Sequence, residues 1–92
     1  MLTLEDCIDL CELTAEEVEA IAEHEQIPEI IAAELGNYLI HTDSGVPKIR
    51  RIILDDIERA EKRGDTNHVI TLKLTLKHFV ETHPQADVDR ML

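Results

Sequence analysis

The stretch HVITLKLTLKHFVETHP, residues 68–84, decides the fold, because it can be read with two periods. Ile70, Leu72, Leu74 and Leu76 alternate with Thr71, Lys73, Thr75 and Lys77, which is the pattern of a half-buried strand. No other segment offers a second strand to pair with it, and a lone strand would leave its backbone edges open. Read with a period of 3.6, Val69, Leu72, Leu76, Phe79 and Val80 share one face, Ile70 and Leu74 lie beside them, and Thr71, Thr75, His78 and Thr82 fall opposite. Asp65 is placed to cap the start and Pro84 to stop the end. The stretch is therefore expected to be a helix, and the chain all-α.

Working toward the N-terminus, Gly64 ends the preceding helix. That helix follows the turn HTDSGVP, residues 41–47, where Asp43 or Ser44 can cap and Pro47 fits the first turn. Ile49, Ile52, Ile53, Ile57 and Ala60 give it a core stripe, while Arg51–Asp55, Asp55–Arg59 and Glu58–Lys62 are spaced for i,i+4 pairs. Residues 14–42, TAEEVEAIAEHEQIPEIIAAELGNYLIHT, read as two helices meeting at Pro28, since the residue before a proline avoids the α region. In the first, Thr14 and Glu17 make a capping box and Leu13 with Val18 a hydrophobic staple. Ala15, Val18, Ile21 and Ala22 are expected inside, and Glu16, Glu17, Glu19 and Glu23 outside. In the second, from Pro28 to about Ile40, the expected core face is Ile31, Leu35, Tyr38 and Leu39, with Ile27 and Ile30 beside it and Glu34 and His41 at its edge. Thr3 and Asp6 make another capping box, with Leu2 and Cys7 as staple, for a first helix at about Leu4 to Glu12 whose stripe is Leu4, Cys7, Ile8 and Cys11. The expected architecture is a single domain over residues 1–84, a small bundle of about five short helices in irregular or orthogonal packing, with residues 85–92 as a tail.

Ninety-two residues with 43% hydrophobic content suit one core, and aromatic residues at only 2% leave that core to aliphatic side chains. The net charge of -11 disfavours nucleic acid and anionic membrane as partners. Its distribution is uneven: residues 1–47 hold twelve Asp and Glu with no Lys or Arg, whereas residues 48–92 hold eight acids against nine bases. A basic protein partner, or the basic start of the fourth helix in a second copy, is the complement such a half-chain selects. Glu16, Glu19 and Glu23 on one side, and Lys48 and Arg51 on the other, are the residues expected to carry that contact. No apolar run approaches the ~18 residues of a membrane span, and the acidic start is unlike a signal peptide, so a cytoplasmic protein is expected.

Candidate chemistry is sparse. Cys7 and Cys11 lie one turn apart but lack the second ligand pair of a zinc site, and core packing accounts for them. Glu23, His24, Glu34 and His41, with Asp56 as a further member, could converge on a metal if their helices fold back on one another. Helical di-iron sites, however, are built on E-x-x-H, and Glu34 is followed at that spacing by Asn37. If these residues are structural instead, a Glu34 or His41 side chain should be found hydrogen-bonded at a helix boundary. No nucleotide-binding glycine motif, nucleophile elbow, C-x-x-C or H-E-x-x-H occurs, so an enzyme is not the expectation and no cofactor is implied. A helix-turn-helix reader of DNA is disfavoured because its recognition helix would carry Glu29 and Glu34 and no base.

Residues 13–41, LTAEEVEAIAEHEQIPEIIAAELGNYLIH, together with LKHFVETHP at 76–84, resemble a group of short bacterial all-helical proteins to which no activity is attached. The resemblance implies a helical bacterial domain and carries no site residues. From the residues themselves, the expected function is a non-enzymatic interaction or regulatory module, possible as a homodimer, with a carboxylate and histidine metal-binding bundle as the alternative.

Overall fold

A computed structural model of the chain describes residues 13–83, which form four α-helices. They are α1 (Ala15–Glu25), α2 (Glu29–Ile40), α3 (Gly45–Arg63) and α4 (Thr66–Thr82). The all-α class holds, with four helices here where about five were expected; the helix at 4–12, its two cysteines and the tail at 85–92 lie outside the described residues. Among the described residues no helix is long and apolar enough to cross a membrane.

Local sequence explains most boundaries, although Ser44, at the N-cap of α3, makes no side-chain capping hydrogen bond. The Thr14 hydroxyl accepts from the Glu17 N–H (3.2 Å) while the Glu17 carboxylate accepts from the Thr14 N–H (2.8 Å), completing the capping box. Thr14→Ala is expected to lower stability by about 1 kcal/mol, read from the midpoint of urea unfolding. Gln26, left-handed at φ 55, closes α1, and Pro28 then sits at the N-cap of α2. The Asp65 carboxylate accepts from the His68 N–H at 3.3 Å to start α4, and Gly64 at φ 72 ends α3. The stretch that decides the fold is thus helical throughout 66–82.

The long amphipathic α3 is the centre of the core. Ile49, Ile52, Ile53, Ile57 and Ala60 are all buried on the expected stripe, joined by Val18 and Ile21 of α1 and by Leu72 and Phe79 of α4. Arg51–Asp55 and Glu58–Lys62 form the exposed pairs read from spacing, each at 3.4 Å. Both α2 and α4 pack on α1 and on α3, and they make at most marginal contact with each other. They therefore flank a central α1–α3 pair.

Three faces depart from the sequence reading. In α2 the buried residues are Ala32, Ala33, Gly36 and Leu39, while Ile31 and Tyr38, expected inside, are exposed. Small side chains let the α2 backbone come close: a Cβ on Gly36 would collide with the Leu13 side chain and lie 3.0 Å from Ile21 Cδ1. In α1, Glu17 was expected outside with Glu16, Glu19 and Glu23, but it is fully buried and Ala15 is exposed. Its carboxylate turns back to the N-cap, and on its other oxygen it accepts from His78 Nδ1–H at 3.4 Å. In α4, Thr75 was expected opposite the core but is buried, its hydroxyl donating to the Thr71 carbonyl at 2.8 Å. Ile70 and Leu74 point outward.

Candidate functional site

The acidic side chains of α1 edge a groove. Glu16, Glu19 and Glu23, spaced i, i+3 and i+7, run along one side of α1, and α4 supplies the opposite wall with His68, Thr71, Leu72 and Thr75. This part of the groove holds about 180 Å3. Toward the start of α1 it continues into a recess of about 330 Å3 lined by Thr14, Glu16, Thr71, Leu74, Thr75 and His78. Helical spacing alone aligns the three carboxylates. The packing of α4 against α1 turns that row into one lip of a groove, and no α4 position predicts this from sequence.

At the Glu23 end of the groove the charges are paired. Glu23 accepts from His68 Nε2–H through both oxygens, at 2.9 and 3.0 Å, and lies 4.0 Å from the Arg63 guanidinium. His24, next in sequence, turns to the other side, where its Nδ1 faces Glu25 and its Nε2 lies 3.1 Å from Asp55 of α3. Glu16 and Glu19, by contrast, are exposed along the open lip. Lys48 and Arg51, the basic counterpart read from sequence, are both exposed at the start of α3, and Arg51 is engaged by Asp55.

The four residues considered for a metal are divided. Glu23 is held by His68 of α4 and His24 by Asp55 of α3. Glu34 is exposed on α2, and His41 Nδ1–H donates to the Asn37 carbonyl at 2.6 Å, capping the end of α2. Among the described residues no three Asp, Glu, His or Cys side chains are grouped so as to hold a metal ion. The hydrogen bond of His41 at a helix boundary is the structural arrangement that the sequence raised.

Asp56 is a different case. It is 1% exposed, and neither carboxylate oxygen has a hydrogen-bond partner among the described residues. Burial pushes its pKa up to about 6, and the charge of Glu23 adds to the rise. His24, Arg59 and His68 oppose it. Its place on the α3 stripe was readable, since Ile49, Ile52, Ile53 and Ala60 surround it in helical register. Its lack of a partner was not readable, because that depends on what α1 and α4 bring to the same spot.

No family model, no characterised protein and no solved structure matches this chain.

Proposed function

We propose that the protein is a non-enzymatic interaction module whose α1–α4 groove takes a basic segment of a protein partner, or of a second copy. The observation that supports this reading is the row Glu16, Glu19, Glu23 along one lip of the groove, in a stretch from residue 13 to 47 that holds eight acids and no Lys or Arg. Alternate carboxylates at about 5 Å intervals along a helix face suit Lys or Arg side chains, whose aliphatic stems would lie on Leu72 and Ala20. Exposed ion pairs contribute only about 0.2–1 kcal/mol each, so the contact should be weak and strongly screened by salt. Such a contact suits reversible association.

Titration of a fluorescent Lys/Arg-rich peptide tests it. Binding should weaken at least tenfold between 0.05 and 0.5 M salt, which brackets the change in screening length. The triple variant Glu16→Lys, Glu19→Lys, Glu23→Lys should bind roughly 30-fold less tightly, with the helical circular-dichroism signal retained. A peptide that binds the variant as well as the parent, or no binding at low salt together with no basic protein recovered in a pull-down, would remove the reading.

A further inference from the structure

Among the described residues two apolar faces are exposed, on opposite flanks of the fold. On α2, Ile31 (46% exposed) and Tyr38 (67%) stand seven residues apart on the side turned away from Ala32, Ala33 and Gly36. On α4, Ile70 (53% exposed) and Leu74 (64%) stand four apart, turned away from Leu72, Thr75 and Phe79. Each pair forms a short helical stripe by spacing. Isolated exposed apolar residues are ordinary, but these are the four large ones among the described residues, and they fall into two groups.

The charges beside the two stripes are opposite. Glu34 lies one turn from Ile31 and from Tyr38 on the same side of α2, and neither α1 nor α2 contains a Lys or Arg. Lys73 and Lys77 flank the Ile70–Leu74 stripe, with Glu81 one turn beyond and Glu16 across the groove. Leu74 also walls the 330 Å3 recess, which is large enough to admit an aromatic side chain. Like faces would set lysines against lysines, or carboxylate against carboxylate. Unlike faces match in both apolarity and charge.

We infer that a second copy of this chain is a partner, and that the outer face of α2 in one copy, Ile31, Glu34 and Tyr38, docks on the outer face of α4 in the next, Ile70, Lys73, Leu74 and Lys77. Because α2 and α4 flank the α1–α3 pair, one copy offers both faces in different directions. The contact is heterologous, head to tail, and continues into a ring or an open chain instead of closing as a two-fold dimer. Tyr38 supplies the aromatic anchor that such small contacts favour. This inference rests on the reading of the protein as an interaction module; its α4 face meets the groove only at the recess that Leu74 shares with Glu16, and it does not use Glu19 or Glu23.

Blocking one face at a time tests it by sedimentation velocity over a concentration series. The parent chain should grow with concentration past twice its 10.5 kDa protomer mass. Leu74→Asp should remain a protomer, because no intact α4 face is left, and Tyr38→Asp should remain a protomer because no intact α2 face is left. An equimolar mixture of the two should form a dimer and nothing larger, since one intact α2 face meets one intact α4 face and both ends are then blocked. Both positions are exposed, and melting curves matching the parent's establish that the variants are folded; Leu74→Lys and Tyr38→Lys replace any that is not. A parent that stays a protomer at every concentration, a single variant that still self-associates, or a mixture that yields no dimer would each overturn the head-to-tail contact. Loss of that contact with basic-peptide binding intact leaves the groove reading standing. Dimer in the mixture with no peptide binding removes the groove reading alone.

Discussion

Raising the pH from 5 to 8 is expected to lower the stability of this protein through Asp56, and Asp56→Asn is expected to remove most of that loss. In the folded chain the carboxyl titrates near 6, against about 3.8 when unfolded. A folded-state pKa above the unfolded one means that the native protein binds the proton more tightly. The stabilising contribution is thus fully present below about pH 4 and declines as pH rises through 6. The shift of about two units corresponds to roughly 3 kcal/mol between the two limits. Most of this comes from burying an ionised carboxylate that no donor reaches, on a helix stripe otherwise made of isoleucines. Glu23 on α1 worsens it, while His24 on α1, Arg59 on α3 and His68 on α4 relieve it. Asparagine keeps the shape and cannot ionise. At pH 8 the variant should be more stable than the parent by about 2 kcal/mol, or about 10 °C in Tm, and at pH 4.5 the two should nearly coincide. Urea unfolding of both proteins at four pH values measures the difference and cancels the histidines common to each. A parent whose stability does not fall relative to the variant between pH 5 and 8 would show that Asp56 is satisfied in the folded protein by something other than a proton.

Gly45→Ala is expected to destabilise the fold by about 3 kcal/mol or more, while Gly64→Ala should cost about 1 kcal/mol. The two glycines are needed for different reasons. Gly64 takes φ 72 with nothing within 4 Å of an added Cβ, so only the left-handed backbone disfavours alanine. Gly45 begins α3 where the chain leaves the α2 turn, and a Cβ there would overlap the Leu39 carbonyl and the Thr42 hydroxyl. Those atoms cannot move independently, because the Leu39 carbonyl accepts from the Thr42 N–H at 3.1 Å and from its hydroxyl at 2.9 Å. Accommodating alanine must open the α2–α3 turn and shift Val46 and Ile49, both buried, off the core. Paired thermal melts of the two variants check this. Equal losses would mean that the turn yields more easily than its hydrogen bonds indicate.

Much of the fold was legible because its signals are local. Thr14, Glu17, Asp65 and Gly64 act within a few residues of themselves, and each occupies the role its spacing announced. The α3 stripe was equally plain, since five apolar residues at helical spacing leave one way to turn the helix. For α2 the same rule failed: Ile31 and Tyr38 outweigh Ala32, Ala33 and Gly36 in hydrophobicity, yet the small residues face inward because Leu13 and Ile21 need that space. A partner's shape decides such a choice, and one helix read alone does not contain it. Glu17 and Thr75 were misplaced because polar side chains read as outward-facing, yet each is satisfied within its own turn of helix, Glu17 by the Thr14 N–H and Thr75 by the Thr71 carbonyl, so that it can be buried without an unpaired group.

The candidate site divides along the same line. By itself the sequence determined an all-α chain, the acidic character of residues 13–47, the row Glu16, Glu19, Glu23, and the presence of Asp56 on a core stripe. These follow from composition and from periodicity along single helices. Only the tertiary structure decided that α4 faces that row to make a groove, that Glu23 meets His68 across 45 positions of chain, that His24 reaches Asp55 of α3, and that α2 and α4 turn apolar stripes outward on opposite flanks. Each is a relation between helices, set by which side chains fit together and not by any one helix's own pattern.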